Sequence, residues 1–298
     1  MPEFKKIEIE DKKWIDKILR VYSCPNLEYN FTTMFLWQEA FDIMVAEEDG
    51  FLFIYSGKEE NRSCLFPAGS GDERSAVNKL IAWSESKNTP LKFHSVNEWQ
   101  KKFLEENFPG RFSFRETRED EDYVYESEKL KNLSGKKLSN KRNHINRFTA
   151  DYPDWKYEII TGDNIYKAEE MHSKWCSIMD YSKKRGLLDD ERVVKKAFKY
   201  YDELGLSGGI LCAGGKTVAF SMGDELNSST FLVHIEKAYP DINGAYSTVN
   251  REFVRNNADG YEFINREDDA GDEGLRKAKL SYRPCRIITK FRAEEIGI

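Results

Sequence analysis

The sequence predicts an α+β protein, with mixed α/β sheets, built from two similar units in tandem. Three observations predict it. Each half places an antiparallel hairpin or meander ahead of a helix and a further strand. The two hairpins share a layout: FDIMVAEEDGFLFIYS sets two apolar runs about Asp49-Gly50, and GGILCAGGKTVAFSMG sets two about Gly214-Gly215. Between them, residues 116–150 sort their charges into an acidic and then a basic block, as a connector would.

The elements follow in order. Residues 9–20 read as a helix, 41–56 as the first hairpin and CLFPAG as a short strand. Residues 72–86 are a helix, LKFHSV a strand and 96–107 a helix, with Ser95 and Glu98 as its expected capping box. Phe112 opens another strand. In the second half, 155–161 is a strand, and 163–179 and 190–204 are helices. Three strands, GGILCAGG, KTVAFSMGDEL and STFLVHIEKA, are followed by a helix over 244–256, the strand YEFINR, a basic helix and a last strand, CRIITKF. The expected organisation is a first domain over 1–128, a basic linker helix over 129–150 and a second domain over 151–298.

Composition narrows the function. The 298 residues are 40% hydrophobic and 13% aromatic, which fills real cores despite 33% charged residues. A net charge of -6 argues against a general nucleic-acid coat. No apolar run reaches the ~18 residues needed to cross a bilayer, and the N-terminus shows no signal peptide, so a cytoplasmic location is expected. Five scattered cysteines without Cys-x-x-Cys spacing read as buried, reduced thiols, and four histidines offer no metal site.

The charge blocks carry the first chemistry. Residues 116–128 hold seven acids and one arginine; residues 129–147 hold seven cations and no acid. The basic block reads as a helix over 136–149, docked by Leu138, Ile145 and Phe148 on one face. Lys141, Arg142, Asn143 and His144 then stand on other faces, either as a solvated linker surface or as an anion-binding one. The second charged segment is YEFINREDDAGDEGLRKAKLSYRP (261–284), where a short strand delivers charged groups at its carboxyl end, a common site position in α/β proteins. Its five acids and five cations from Arg266 to Arg283 also suit a self-neutralising connector. Strand alternation puts His234 and Glu236 on one face with Leu232, either as a buried pair or as a base with a positioning carboxylate.

Together KKLSNKRNHINRF, VHIEKAYPDINGAYSTVNREF and FINREDDAGDEGLRKAKLSYRP resemble the family grouped with the C-terminal catalytic domain of phosphatidylglycerol lysyltransferases. The resemblance covers essentially the whole chain and is densest over 136–284. It implies two tandem acyl-CoA N-acyltransferase-like domains of the GCN5-related N-acetyltransferase (GNAT) fold. It also implies acyl or aminoacyl transfer from an aminoacyl-tRNA or similar activated donor. No membrane-spanning portion like that of the synthase relatives is expected from this sequence, so a soluble acceptor, a peptide or a headgroup reached by peripheral membrane contact are all open. The Gln/Arg-x-x-Gly-x-Gly/Ala loop that cradles coenzyme A is reduced here to Gly244-Ala245 in YPDINGAYST. Alternatives are therefore an acetyl-CoA-dependent N-acyltransferase and a non-catalytic protein binding a phosphorylated small molecule, an RNA or a membrane surface.

Transfer needs a positioned acceptor, a proton relay and oxyanion donors. The expected catalytic residues are Asp268, His234 and Glu236. The expected substrate- or phosphate-binding residues are Lys141, Arg142, Asn143, His144, Gly244, Asn265, Arg266, Arg276, Lys277, Lys279 and Tyr282. Neither a Gly-x-Ser-x-Gly elbow nor a Ser/His/Asp arrangement is present, so direct attack by the acceptor is expected rather than a covalent enzyme intermediate.

Overall fold

The computed structural model describes residues 1–58, 61–178 and 185–297. The first of two compact units comprises Met1–Asp122, Asp268–Asp272 and Ile287–Ile298; the second comprises Tyr123–Glu267 and Glu273–Arg286.

The first unit runs through β1 (Lys5–Lys6), α1 (Lys12–Tyr22), α2 (Phe31–Phe41), β2 (Met44–Glu48), β3 (Phe51–Ser56), β4 (Ser63–Cys64), β5 (Ala68–Gly69), α3 (Glu73–Glu85), β6 (Lys92–Val96), α4 (Glu98–Asn107) and β7 (Phe112–Glu116). The second runs through β8 (Asp122–Glu126), α5 (Ser127–Asn132), α6 (Ser139–Asp151), β9 (Lys156–Ile159), α7 (Ile165–Ile178), α8 (Arg185–Lys199), α9 (Tyr201–Leu204), β10 (Ser207–Ala213), β11 (Lys216–Asn227), β12 (Thr230–Ala238), α10 (Ala245–Asn257), β13 (Phe263–Asn265), α11 (Glu273–Leu280) and β14 (Arg286–Ile288). The last strand, β15 (Phe291–Glu295), pairs antiparallel with β6 and with β7.

The unit boundaries differ from the expected ones. The basic helix α6 lies inside the second unit, and the C-terminal strand belongs to the first sheet. Sequence adjacency pointed the other way, but strand pairing decides membership: β15 completes the order β1-β2-β3-β4-β6-β15-β7, with β5 on β3. The acidic block likewise hides β8, whose Tyr123, Val124 and Tyr125 are buried and pair with β13 in the order β14-β8-β13-β12-β11-β10-β9.

Three local expectations are also corrected. The box that caps α4 is Asn97 with Gln100, whose side chains and backbone amides exchange bonds at 3.0 and 2.9 Å. Ser95 instead takes a left-handed φ of 53°. Helix α2 escaped the sequence because residues 31–36 are all buried, leaving no amphipathic stripe to detect. Of the five cysteines, all free, only Cys24 and Cys64 are buried, and Cys285 is exposed.

Each sheet holds a parallel pair: β4 with β6, and β12 with β13. Both pairs end alike. Two residues past the last register partner, the chain takes a left-handed turn, at Ser95 after Cys64↔Phe93 and at Glu267 (φ 57°) after Leu232↔Asn265. In the first unit, side chains of residues 26–29 reach both chains just past this point: Asn26 donates Nδ2 to the Ser95 carbonyl at 2.7 Å and Tyr29 its hydroxyl to the Phe66 carbonyl at 2.9 Å. Gln100 donates to the Tyr29 hydroxyl at 2.9 Å.

Candidate functional site

The candidate site in the second unit is built around Glu236. Its strand, β12, carries an extra residue against β11: Met222 faces Ile235 and Gly223 faces Val233, so His234 stands in a β-bulge. The bulge overturns simple alternation. Glu236 is registered with Ser221 and Leu232 with Asp224, three positions apart on β11, which puts Glu236 and Leu232 on opposite faces. Glu236 thereby turns toward the residues that follow β13.

There its carboxylate is gripped from two sides. Arg266, the residue after β13, donates Nη2 to Oε1 at 2.7 Å. Asn250, from α10, donates Nδ2 to Oε2 at 2.8 Å. Tyr282, just past α11, lies under the Arg266 guanidinium, with 4.7 Å from Cζ to the ring centroid. Its hydroxyl is 3.4 Å from that of Ser247, one turn before Asn250 on α10. Lys141 from α6 places its ammonium 4.0 Å from the same ring. Burial, followed by repulsion from Arg266, lowers the Lys141 amine to about 8, with Glu236 opposing the shift.

Glu236 and its neighbours leave polar atoms unmet. Asn250 Oδ1, Arg266 Nη1 and the hydroxyl of Ser221, the register partner of Glu236, are buried without a hydrogen-bond partner. Ser221 and Asn250 are both wholly buried. A buried donor or acceptor left alone costs roughly 1–3 kcal/mol, and native structures hold few of them. Three around one carboxylate mark a place built for something outside the chain: a guanidinium donor, an amide acceptor and a hydroxyl that can serve either way.

Four of the expected residues thus come together: Glu236, Arg266, Tyr282 and Lys141. Others serve the frame. Lys279 is buried and donates Nζ to the Arg266 carbonyl, fixing that residue's backbone. Asn265 accepts from the Glu267 amide at 2.8 Å, closing the left-handed turn. Arg142 directs Nη1 to the Leu133 and Gly135 carbonyls, while Asn143 and His144 are exposed, with His144 Nδ1 3.2 Å from Asn243 Oδ1. Arg276 and Lys277 stand on α11. Asp268 belongs to the first unit, where it accepts from the Ala270 amide at 3.0 Å and adds to the negative field around Lys290.

His234 and Gly244 have specific local jobs. His234 is held between Glu267 (Nδ1, 3.1 Å) and Asp224 (Nε2, 3.0 Å). Burial alone would lower its pKa, but Asp224 and then Glu267 outweigh that and raise it to about 10, so at neutral pH it is an imidazolium. A doubly anchored cation cannot accept a proton, which suits a clamp better than a base. Gly244 has φ +85° at the start of α10, and a Cβ there would lie 2.3 Å from the His144 carbonyl oxygen. A carbonyl oxygen packed at that helix start opposes an anion, so the place does not fit the coenzyme A pyrophosphate.

Ser221, Asn250 and Ser247 were missed. Serine and asparagine inside apolar strands and helices carry no spacing signature, and only the register across the bulge brings them to Glu236. A groove lies elsewhere in the second unit. It holds about 720 Å³ between β9, α7 and the β10–β11 hairpin, and its lining mixes Lys156, Lys167, Lys174 and Lys216 with Asp154, Glu158, Glu170 and Asp241. Its balanced charges select no ligand. Among the described residues, no cluster of three or more potential metal ligands exists, and no helix is long and apolar enough to cross a membrane.

Residues 20–294 match the family described as phosphatidylglycerol lysyltransferase, C-terminal. A conserved protein of unknown function from Bacteroides thetaiotaomicron is 37% identical, with a TM-score of 0.95 over 99% of this chain and 100% of that one. L-PGS from Bacillus licheniformis shares the fold, with a TM-score of 0.66 at 14% identity over 95% of this chain and 91% of its own. An uncharacterised protein of Mycoplasmoides gallisepticum is 24% identical over 189 residues, 59% of this chain and 56% of that protein, so the match spans little more than half its length. A tandem GNAT protein from the clavulanic acid biosynthesis pathway superposes with a TM-score of 0.50 at 8% identity over 100% of this chain and 99% of its own. Two tandem GNAT-like units are therefore the fold.

Proposed function

We propose, from the premise that this chain belongs to the family of phosphatidylglycerol lysyltransferase C-terminal domains, that it transfers an acyl or aminoacyl group from an aminoacyl-tRNA or a similar activated ester. The transfer takes place in the second unit, around Glu236. The observation that carries this reading is the set of buried, unmet polar atoms on Ser221, Asn250 and Arg266.

Their chemistry matches the needs of ester transfer. Arg266 Nη1 donates to the carbonyl oxygen and stabilises the negative charge that develops as the acceptor attacks. Glu236 holds the guanidinium so that this donor needs no reorganisation. Asn250 Oδ1 accepts from the amino group of an aminoacyl moiety, and Ser221 stands across the strands from Glu236, which Arg266 and Asn250 both hold. Lys136 and Lys137, exposed in the 3-10 turn just before α6, offer cations to a phosphodiester backbone. The misfit of coenzyme A at Gly244 supports an ester donor that does not use it.

Retention of a labelled mixture of aminoacyl-tRNAs on the protein at ~50 mM salt tests this reading. Binding that weakens with added salt, followed by loss of the label from the tRNA, is expected. No retention for any amino acid removes the tRNA donor.

A further inference from the structure

Lys141 has an unusual setting for a lysine. It stands on α6 and reaches the ring of Tyr282 with its ammonium 4.0 Å from the centroid. Among the described residues it makes no hydrogen bond and no ion pair with a carboxylate. The charges that reach it are the Arg266 guanidinium, which repels it, and Glu236, whose two oxygens are already held by Arg266 and Asn250. The phenol of Tyr282 beneath it is buried and kept protonated, first by burial and against the pull of Arg266. A cation is thus half-buried within the field of another cation, over the same Tyr282 ring that Arg266 meets, with only that aromatic face as partner.

A structural lysine would be placed to gain a counter-ion, as Lys237 does with both oxygens of Asp190 at 2.8 Å. Lys141 is placed to lose its proton easily. We propose that Lys141 is the catalytic proton carrier of the site, a step that rests on the transferase reading above. The attacking hydroxyl or amine forms its bond to the ester carbonyl carbon and gives its proton to the neutral Lys141 amine. The bond from that carbon to the departing alcohol oxygen then breaks, and the Lys141 ammonium returns the proton to that oxygen. The net change is an ester and an acceptor X–H becoming an acyl-X and an alcohol, with Lys141 regenerated. The amine's lowered pKa keeps both of its forms accessible near neutrality, where a proton carrier works best.

The test measures label loss from a pool of [14C]aminoacyl-tRNAs with ethanolamine or glycerol as acceptor, across pH, for wild type, Lys141→Arg and Lys141→Met. The wild-type rate is expected to rise through an apparent pKa of about 8. Both variants are expected to lose about 100-fold or more in rate, while affinity for uncharged tRNA stays within about threefold. The arginine variant keeps the charge and the reach, so it separates proton transfer from electrostatic positioning. A Lys141→Arg protein as active as wild type, or a Lys141→Met protein keeping more than about a tenth of the rate with the same pH profile, overturns the role of Lys141 and leaves the transferase reading standing. A wild-type protein that releases no label overturns both.

Discussion

Arg266 gives one arm of its guanidinium to Glu236 at 2.7 Å and leaves the other, Nη1, buried with nothing to receive it. The second arm is what makes the pair more than a structural salt bridge. A buried ion pair is maintained only when its remaining hydrogen-bonding capacity is met. Here Asn250 completes the acid and no group completes the base.

The pair should therefore fail asymmetrically. Glu236→Gln leaves Arg266 buried without its anion and is expected to destabilise the protein by ~3–5 kcal/mol. Denaturant unfolding checks this. A loss below about 1 kcal/mol would mean that Glu236 is not the anchor of Arg266.

The His234 clamp predicts an alkaline limit. Its folded pKa of about 10 lies above the unfolded value near 6.5, so the imidazolium contributes its full stability below about 6.5. That contribution is lost as pH rises through the folded value. Unfolding midpoints should fall between pH 7 and about 10 in the wild type. His234→Asn should start lower, with Asp224 and Glu267 left facing each other, and show a flatter decline over that range.

In the first unit, Lys290 is wholly buried with Glu28 at 2.8 Å and Asp122 at 2.6 Å. Lys290→Met strands two carboxylates and should cost ~3–5 kcal/mol at neutral pH. The deficit should shrink in acid as those carboxylates protonate, which thermal melts at several pH values can follow.

Gly244 is needed for both space and backbone. Gly244→Ala puts a Cβ 2.3 Å from the His144 carbonyl and holds an L-residue at φ +85°. We expect a loss of at least ~1–3 kcal/mol with the start of α10 displaced from α6. An alanine variant as stable as wild type would show that the two helices can part freely.

Much of the fold was legible, for identifiable reasons. The hairpin at Asp49-Gly50 and the turn at Gly214-Gly215 announce themselves through residues that tolerate positive φ. Amphipathic helices such as α3, and the apolar face of α6 with Ile145 and Phe148 buried, follow from period. What stayed hidden is non-local. Helix α2 is buried along its first half, β8 sits inside an acidic run whose Asp122 answers a lysine 168 residues away, and β15 joins the first sheet. For the site, strand alternation pointed to Glu236, the charged end of a short strand to Arg266 and the basic block to Lys141. Ser221 and Asn250 became visible only through the bulge at His234, because one extra residue in a strand changes which side chains meet and leaves no mark in composition.

The most direct test of the central claim is Ser221→Ala, measured for both stability and label release from aminoacyl-tRNA. If the site around Glu236 exists for a ligand, the unmet hydroxyl burdens the free protein and serves the bound one. The alanine should then raise stability by ~1 kcal/mol, about 2–4 °C in Tm, and lower the rate of label release. An alanine variant that loses stability, or that gains it and releases label as fast as wild type, would contradict a ligand site at Ser221, Asn250 and Arg266.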